Sequence, residues 1–135
     1  MASITIRKAV VSDMLAHARE EAPRECCGLL VGRGTSIVRN MRARNLDASA
    51  TRYLIDPEDH FAAIRAARSE SLDVVGAYHS HPSSTPVPSA TDIAEADSGS
   101  DFLYVIVSPI GDDVRAYRIA AGVYTLVELS VREPA

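Results

Sequence analysis

No stretch of this 135-residue sequence approaches the roughly 18 consecutive apolar residues that a helix needs to span a membrane, so no membrane partner is expected. Met1 to Arg7 carries no apolar stretch of signal-peptide length. No basic patch stands out: 14 Lys and Arg stand against 18 Asp and Glu, for a net charge of −4 and a pI near 5.5. Nucleic acid is therefore not an expected partner. Cysteine occurs only twice, at the adjacent positions Cys26 and Cys27. Neighbouring strand residues point to opposite faces, so a disulfide between these two would be strained, and a secreted disulfide scaffold is not supported. Internal repeats, low-complexity tracts and interdomain linkers are also missing. The sequence reads as a cytoplasmic protein with free thiols, folded as one domain over residues 1–135.

What is present is a large apolar fraction, 47%, enough to bury a core at this length. Ser3 to Ile6 alternates and predicts a short strand. From Lys8 to Glu21 the period becomes helical, with Val11, Met14, Leu15 and Ala18 facing a core, and Pro23 ends this helix. Glu25 to Gly32 is a short apolar run closed by glycine and predicts a buried strand. Gly32 to Thr35 predicts a hairpin turn, Ile37 to Arg42 the returning strand, and Tyr53 to Ile55 another short one. Asp56 caps a second helix that has Pro57 at its first position; Phe61, Ala63, Ile64 and Ala67 are its expected buried face, and it runs to about Arg68. Leu72 to His81 predicts a central strand, Pro82 to Pro88 a loop, and Ser89 to Asp92 the start of a short helix. Phe102 to Val107, Val114 to Ile119 and Val123 to Leu129 complete the strands. The pattern predicts an α/β domain in which helices flank a mixed sheet.

The chemistry concentrates around His79-Ser80-His81. Residues i and i+2 of a strand share a face, so two imidazoles there can share one ion; the bland alternative is two polar residues at a strand end. Ser89-x-x-Asp92 by itself reads as a helix capping box, although a capped first turn also dictates where its side chains point. Two histidines and one carboxylate suit a catalytic zinc that keeps a fourth position for water, and iron uses the same residue types. A metal hydrolase also needs a base beside its water. Glu25, leading directly into an apolar strand, is the best candidate, its alternative being an exposed residue at a helix end like Glu20 or Glu21. His17 and His60 read as surface or packing histidines. Cys26 and Cys27 read as small buried hydrophobes, Tyr78 as a core residue, and Ser80 as pointing away from the metal face.

Taken together, Pro23-x-Glu25-x-Cys27-Gly28-Leu29-Leu30-x-Gly32, then His79-Ser80-His81-Pro82, then six residues, then Ser89-x-x-Asp92 resembles the full signature of the JAMM (MPN-plus) metalloproteases, and the order of helices and strands agrees over nearly the whole chain. The resemblance implies a fold similar to that of cytidine deaminases and one zinc ion held by His79, His81 and Asp92. It implies that Glu25 takes a proton from the zinc-bound water, whose pKa falls from about 16 to roughly 7, and passes it to the leaving amine. It further implies that Ser89 polarises the scissile carbonyl and stabilises the oxyanion.

The length is similar to that of bacterial stand-alone members. That likeness implies a peptidase or isopeptidase acting at the Gly-Gly tail of a ubiquitin-like or sulfur-carrier protein. Only nine residues separate Asp92 from Phe102, so the long insertions of relatives that grip ubiquitin chains are not expected. Two other readings stay open: a non-catalytic MPN-type binding module, which the intact ligand set opposes, and a zinc amidohydrolase or deaminase on a small substrate. The zinc deaminase signature needs Cys-x-x-Cys, which this sequence lacks.

Overall fold

The computed structural model describes residues 3–96 and 101–133. The elements in chain order are β1 (Ile4–Arg7), α1 (Lys8–Glu21), β2 (Cys27–Arg33), β3 (Ser36–Ala43), α2 (Pro57–Ser69), β4 (Asp73–Ser80), α3 (Ala90–Glu95), β5 (Leu103–Ser108), β6 (Asp113–Ala120), β7 (Val123–Val127) and β8 (Leu129–Arg132). The strands form one mixed sheet in the order β7-β6-β5-β4-β2-β3-β1-β8. β4 runs parallel to β5, and β1 runs parallel to both β3 and β8.

The apolar run of β2 is explained by helices on both sides of it. Every residue from Cys27 to Gly32 is buried, as expected for a strand covered on two faces rather than one. Cys26 and Leu30 face the cluster that holds Met14 and Ala18 of α1 and Tyr78 of β4. Leu29 packs with Ala63 of α2 and Ala77 of β4 on the opposite side. The two thiols thus part to opposite faces; both are free and buried, and burial raises Cys26 to about 11 and Cys27 to about 12. Gly28 lies under Tyr78, whose ring would stand 2.3 Å from an added Cβ. The Tyr78 hydroxyl bonds His17 Nδ1 at 2.9 Å, so His17 is a buried packing histidine.

Three expectations need correction. Phe61 is 61% exposed, and the buried face of α2 consists of Ala63 and Ala67. Two residues rotate a helix by about 200°, so once Ala63 faces the sheet Phe61 must point away. Tyr53 to Ile55 is not a strand; only Ile55 makes an isolated bridge, to Asn45. The run Val123 to Leu129 is not one strand either: β7 pairs with β6 and β8 pairs with β1 at the other edge of the sheet. Only Glu128 separates β7 from β8, so the two edges can be no more than about 7 Å apart at that corner. The sheet therefore curls around α1, and Val127 and Leu129 both reach the core that α1 fills. Within α1, Val10 takes the inner position and Val11 is only half-buried.

Candidate metal centre

The site forms where β4 ends. Cys27 of β2 lies opposite His79, and β5 continues to support the chain beyond β4, since the His81 N–H donates to the Val107 carbonyl at 2.9 Å. His79 and His81 therefore keep strand periodicity and project from one face, with Nε2 atoms 3.3 Å apart. Both are buried, at 2% and 6% exposure.

Asp92 arrives from α3. The capping box expected from Ser89-x-x-Asp92 is complete: Ser89 Oγ accepts from the Asp92 N–H at 3.0 Å, and Asp92 Oδ2 accepts from the Ser89 N–H at 2.9 Å. The same carboxylate points at the histidines, with Oδ1 3.2 Å from His79 Nε2 and Oδ2 3.1 Å from His81 Nε2. One donor atom from each of the three residues falls within 4.8 Å of the others. Capping and convergence are thus one arrangement, because the hydrogen bonds of the cap set the direction of the third-position side chain.

The loop from Pro82 to Pro88 is pinned from below. The Ser108 hydroxyl donates to the Ser84 carbonyl at 2.8 Å and the Tyr117 hydroxyl to the Pro86 carbonyl at 2.6 Å. This holds the Thr85 carbonyl 3.0 Å from His81 Nδ1. A carbonyl can only accept, so Nδ1 carries a proton and Nε2 is the nitrogen turned to the centre, the usual way an outer bond orients a metal-binding imidazole.

Glu25 approaches from the start of β2. Its N–H donates to the Ser49 carbonyl at 2.7 Å and its carbonyl accepts from Asn45 Nδ2 at 3.1 Å. The next residue is clamped to β4: Cys26 N–H donates to Ser80 Oγ at 2.8 Å, and Ser80 N–H to the Cys26 carbonyl at 3.1 Å. Ser80 thus faces away from the histidines, as its place between them requires, and serves to dock the Glu25 segment. Glu25 is 4% exposed, and its Oε1 has no hydrogen-bond partner among the described residues.

Electrostatics separate the four groups. Burial pushes Glu25 up to about 7; the charge of His81 opposes this and that of Asp92 adds to it. Burial lowers His79 and keeps it neutral, against the pull of Asp92. Burial also acts to lower His81, but its bonds to Asp92 and Thr85 outweigh that and raise it. For Asp92 burial acts upward, and the bonds from His79 and His81 overcome it, holding the carboxyl well below the usual range. Two imidazole nitrogens facing each other beside an ionised carboxylate, within electrostatic reach of a desolvated carboxyl whose Oε1 has no partner among the described residues, fit a divalent cation that brings its own water.

Glu25 lines an open hollow of about 560 Å³ that also includes Arg24, Arg44, Asn45 and Leu46. Asp92 lines another of about 250 Å³ together with Tyr53, Thr91 and Tyr104.

The pattern described as "Prokaryotic homologs of the JAB domain" matches residues 7–120. The chain belongs to this family. It is 41% identical over 107 residues to a protein named desampylase from Haloferax volcanii, covering 73% of this chain and 75% of that one. It is 35% identical over 135 residues to the CysO-cysteine peptidase of Mycobacterium tuberculosis, covering 96% and 92%. The solution structure of protein DSY2949 from Desulfitobacterium hafniense superposes with a TM-score of 0.87 at 32% identity, over 97% of this chain and 94% of that one.

Sequence reasoning missed four residues that shape this JAB-family site. Thr85 orients His81 through its backbone, which no side-chain pattern reveals. Tyr53 stacks on His79 from a segment read as a strand. Asn45 grips the Glu25 carbonyl, and Arg52 pairs with Glu95 of α3 at 2.7 Å. Only Asn45 left a local trace: its Oδ1 accepts from the Asp47 N–H at 3.0 Å, the two-residue turn that asparagine favours.

Proposed function

We propose that this chain is a zinc-dependent peptidase or isopeptidase that cuts at the C-terminal Gly-Gly tail of a ubiquitin-like or sulfur-carrier protein, with His79, His81 and Asp92 as the metal ligands. The observation that carries the reading is the buried Glu25, whose Oε1 has no hydrogen-bond partner among the described residues and whose carboxyl feels the charges of His81 and Asp92, together with the converged His79, His81 and Asp92. The relatives' names supply the substrate class: one is a desampylase and another a CysO-cysteine peptidase. Zinc bound there would supply a water acidic enough to lose its proton near neutral pH. Glu25, raised to about 7, is matched to accept that proton and return it to the departing amine. The 135 residues act as one catalytic domain, and two unpaired buried thiols support the reading of a cytoplasmic protein.

Ser89 completes the site. Its Oγ accepts from the Asp92 N–H, which leaves the hydroxyl proton for the scissile carbonyl oxygen. Ser89→Gly separates this role from capping, because glycine at an N-cap costs only a few tenths of a kcal/mol. The variant is expected to unfold near the wild-type temperature while kcat drops about 100-fold; unchanged kcat would remove Ser89 from the mechanism.

The direct test uses a purified carrier protein ending in Gly-Gly, extended by one residue in one substrate and joined to a lysine side chain in another. The zinc-loaded chain is expected to release the free Gly-Gly terminus from at least one of them, read by mass spectrometry. Zinc-loaded protein that cleaves neither would overturn the assignment.

A further inference from the structure

The segment between β3 and α2 crosses the metal face of the sheet, and the proposed chemistry assigns it no task. Tyr53 stacks on the His79 imidazole with ring centroids 4.3 Å apart and planes 17° from parallel. His81 has its ring oriented by the Thr85 carbonyl; the stack does the corresponding work for His79. Rotation about the last side-chain bond of histidine is soft, so a flat neighbour decides whether Nε2 faces Asp92 and His81.

Tyr53 is itself held on both sides by one side chain. Asn45 Nδ2 donates to the Arg52 carbonyl at 3.0 Å, and Asn45 Oδ1 accepts from the Leu54 N–H at 2.9 Å. The same Nδ2 donates to the Glu25 carbonyl at 3.1 Å. With the bond from the Asp47 N–H, two donors and two acceptor positions of the amide are all used. Arg52 adds the ion pair to Glu95, tying the segment to the helix that carries Asp92. The geometry points to Tyr53 as a positioning residue of the metal centre: anchored through Asn45 to the Glu25 backbone, it fixes the plane of the His79 ring before any ion arrives. The inference rests on His79 being a metal ligand.

Zinc affinity, measured by competition with a chromophoric chelator, tests it without reference to turnover. Tyr53→Phe keeps a flat ring and is expected to bind within about 2-fold of wild type, whereas Tyr53→Leu, which fills space without one, is expected to lose about 10-fold or more. Asn45→Ala, which leaves Tyr53 intact but frees its neighbours, is expected to weaken binding as well. The Asn45→Ala/Tyr53→Leu double variant should lose no more than the worse single one, because both act through the same ring. In cobalt-loaded protein the visible spectrum should change for Tyr53→Leu and not for Tyr53→Phe. Wild-type affinity in folded Tyr53→Leu overturns the inference alone; if that variant does not fold, wild-type affinity in Asn45→Ala does so. A wild-type chain that binds no zinc overturns the ligand assignment with it.

Discussion

Glu25→Gln is expected to keep the metal and to lower kcat by at least about 100-fold, the usual minimum contribution of a positioned acid–base group. Glutamine has nearly the shape of glutamate, and the Ser49 and Asn45 contacts of this residue run through its backbone, so the entrance to β2 is preserved. What disappears is the group proposed to accept and return a proton. The metal-free protein gives an independent readout. In the folded state Glu25 sits near 7 against an ordinary value of 4.5. The folded protein therefore holds a proton that the unfolded chain releases between these values, and stability falls as pH rises through that window. Glu25→Gln removes the penalty. It is expected to match wild type near pH 4 and to exceed it at pH 8 by up to about 3 kcal/mol, measured by denaturant unfolding in the presence of a chelator. Equal stability at pH 8 would mean that the carboxyl is not held in an unfavourable environment.

Loss of a proposed metal ligand should be at least as severe. His81→Ala removes one of three donor atoms, and Asp92→Asn removes the only negative charge among them while leaving an oxygen able to accept from the Ser89 N–H. Asp92→Asn is the sharper variant, because the start of α3 survives and the effect reads as lost coordination. Both are expected to weaken zinc binding beyond the 10- to 100-fold that loss of an outer partner costs, and to reduce hydrolysis to background. Stabilisation by the metal should vanish with them: zinc at about 100 times its dissociation constant stabilises a folded protein by about 2.7 kcal/mol, a shift in unfolding temperature that wild type should show and neither variant should. Full zinc content in purified His81→Ala would mean that the ion is held elsewhere.

The readable parts of this site share one property: their geometry is local. His79 and His81 share a face because a strand has a period of two, and β4 keeps that period to its end. Ser89 and Asp92 answer each other because a helix start leaves amide groups that the first and third positions can reach. The positions of α1, α2 and the major strands follow from periodicity and from Pro23, Asp56 and Pro57 in the same way. The misread parts depend on pairing between distant segments. Phe61 points outward because Ala63 and Ala67 are the residues that face the sheet, a choice invisible within the helix. Leu129 leaves β7 because the free edge of β1, more than 120 residues earlier, lies beside it.

By itself the amino-acid order determined which side chains stand together at the end of one strand and the start of one helix, and hence that two imidazoles and a carboxylate were available as a set. Tertiary structure alone decided that the set closes to within 4.8 Å, that Glu25 is buried within reach of the charges of His81 and Asp92 without a hydrogen-bond partner for Oε1 among the described residues, and that Tyr53 lies flat on His79. The Tyr53 and Glu25 approaches join residues 26 to 67 positions apart. Separations of that size are set by how the sheet curls and how β2, β4 and β5 register, which no local spacing encodes.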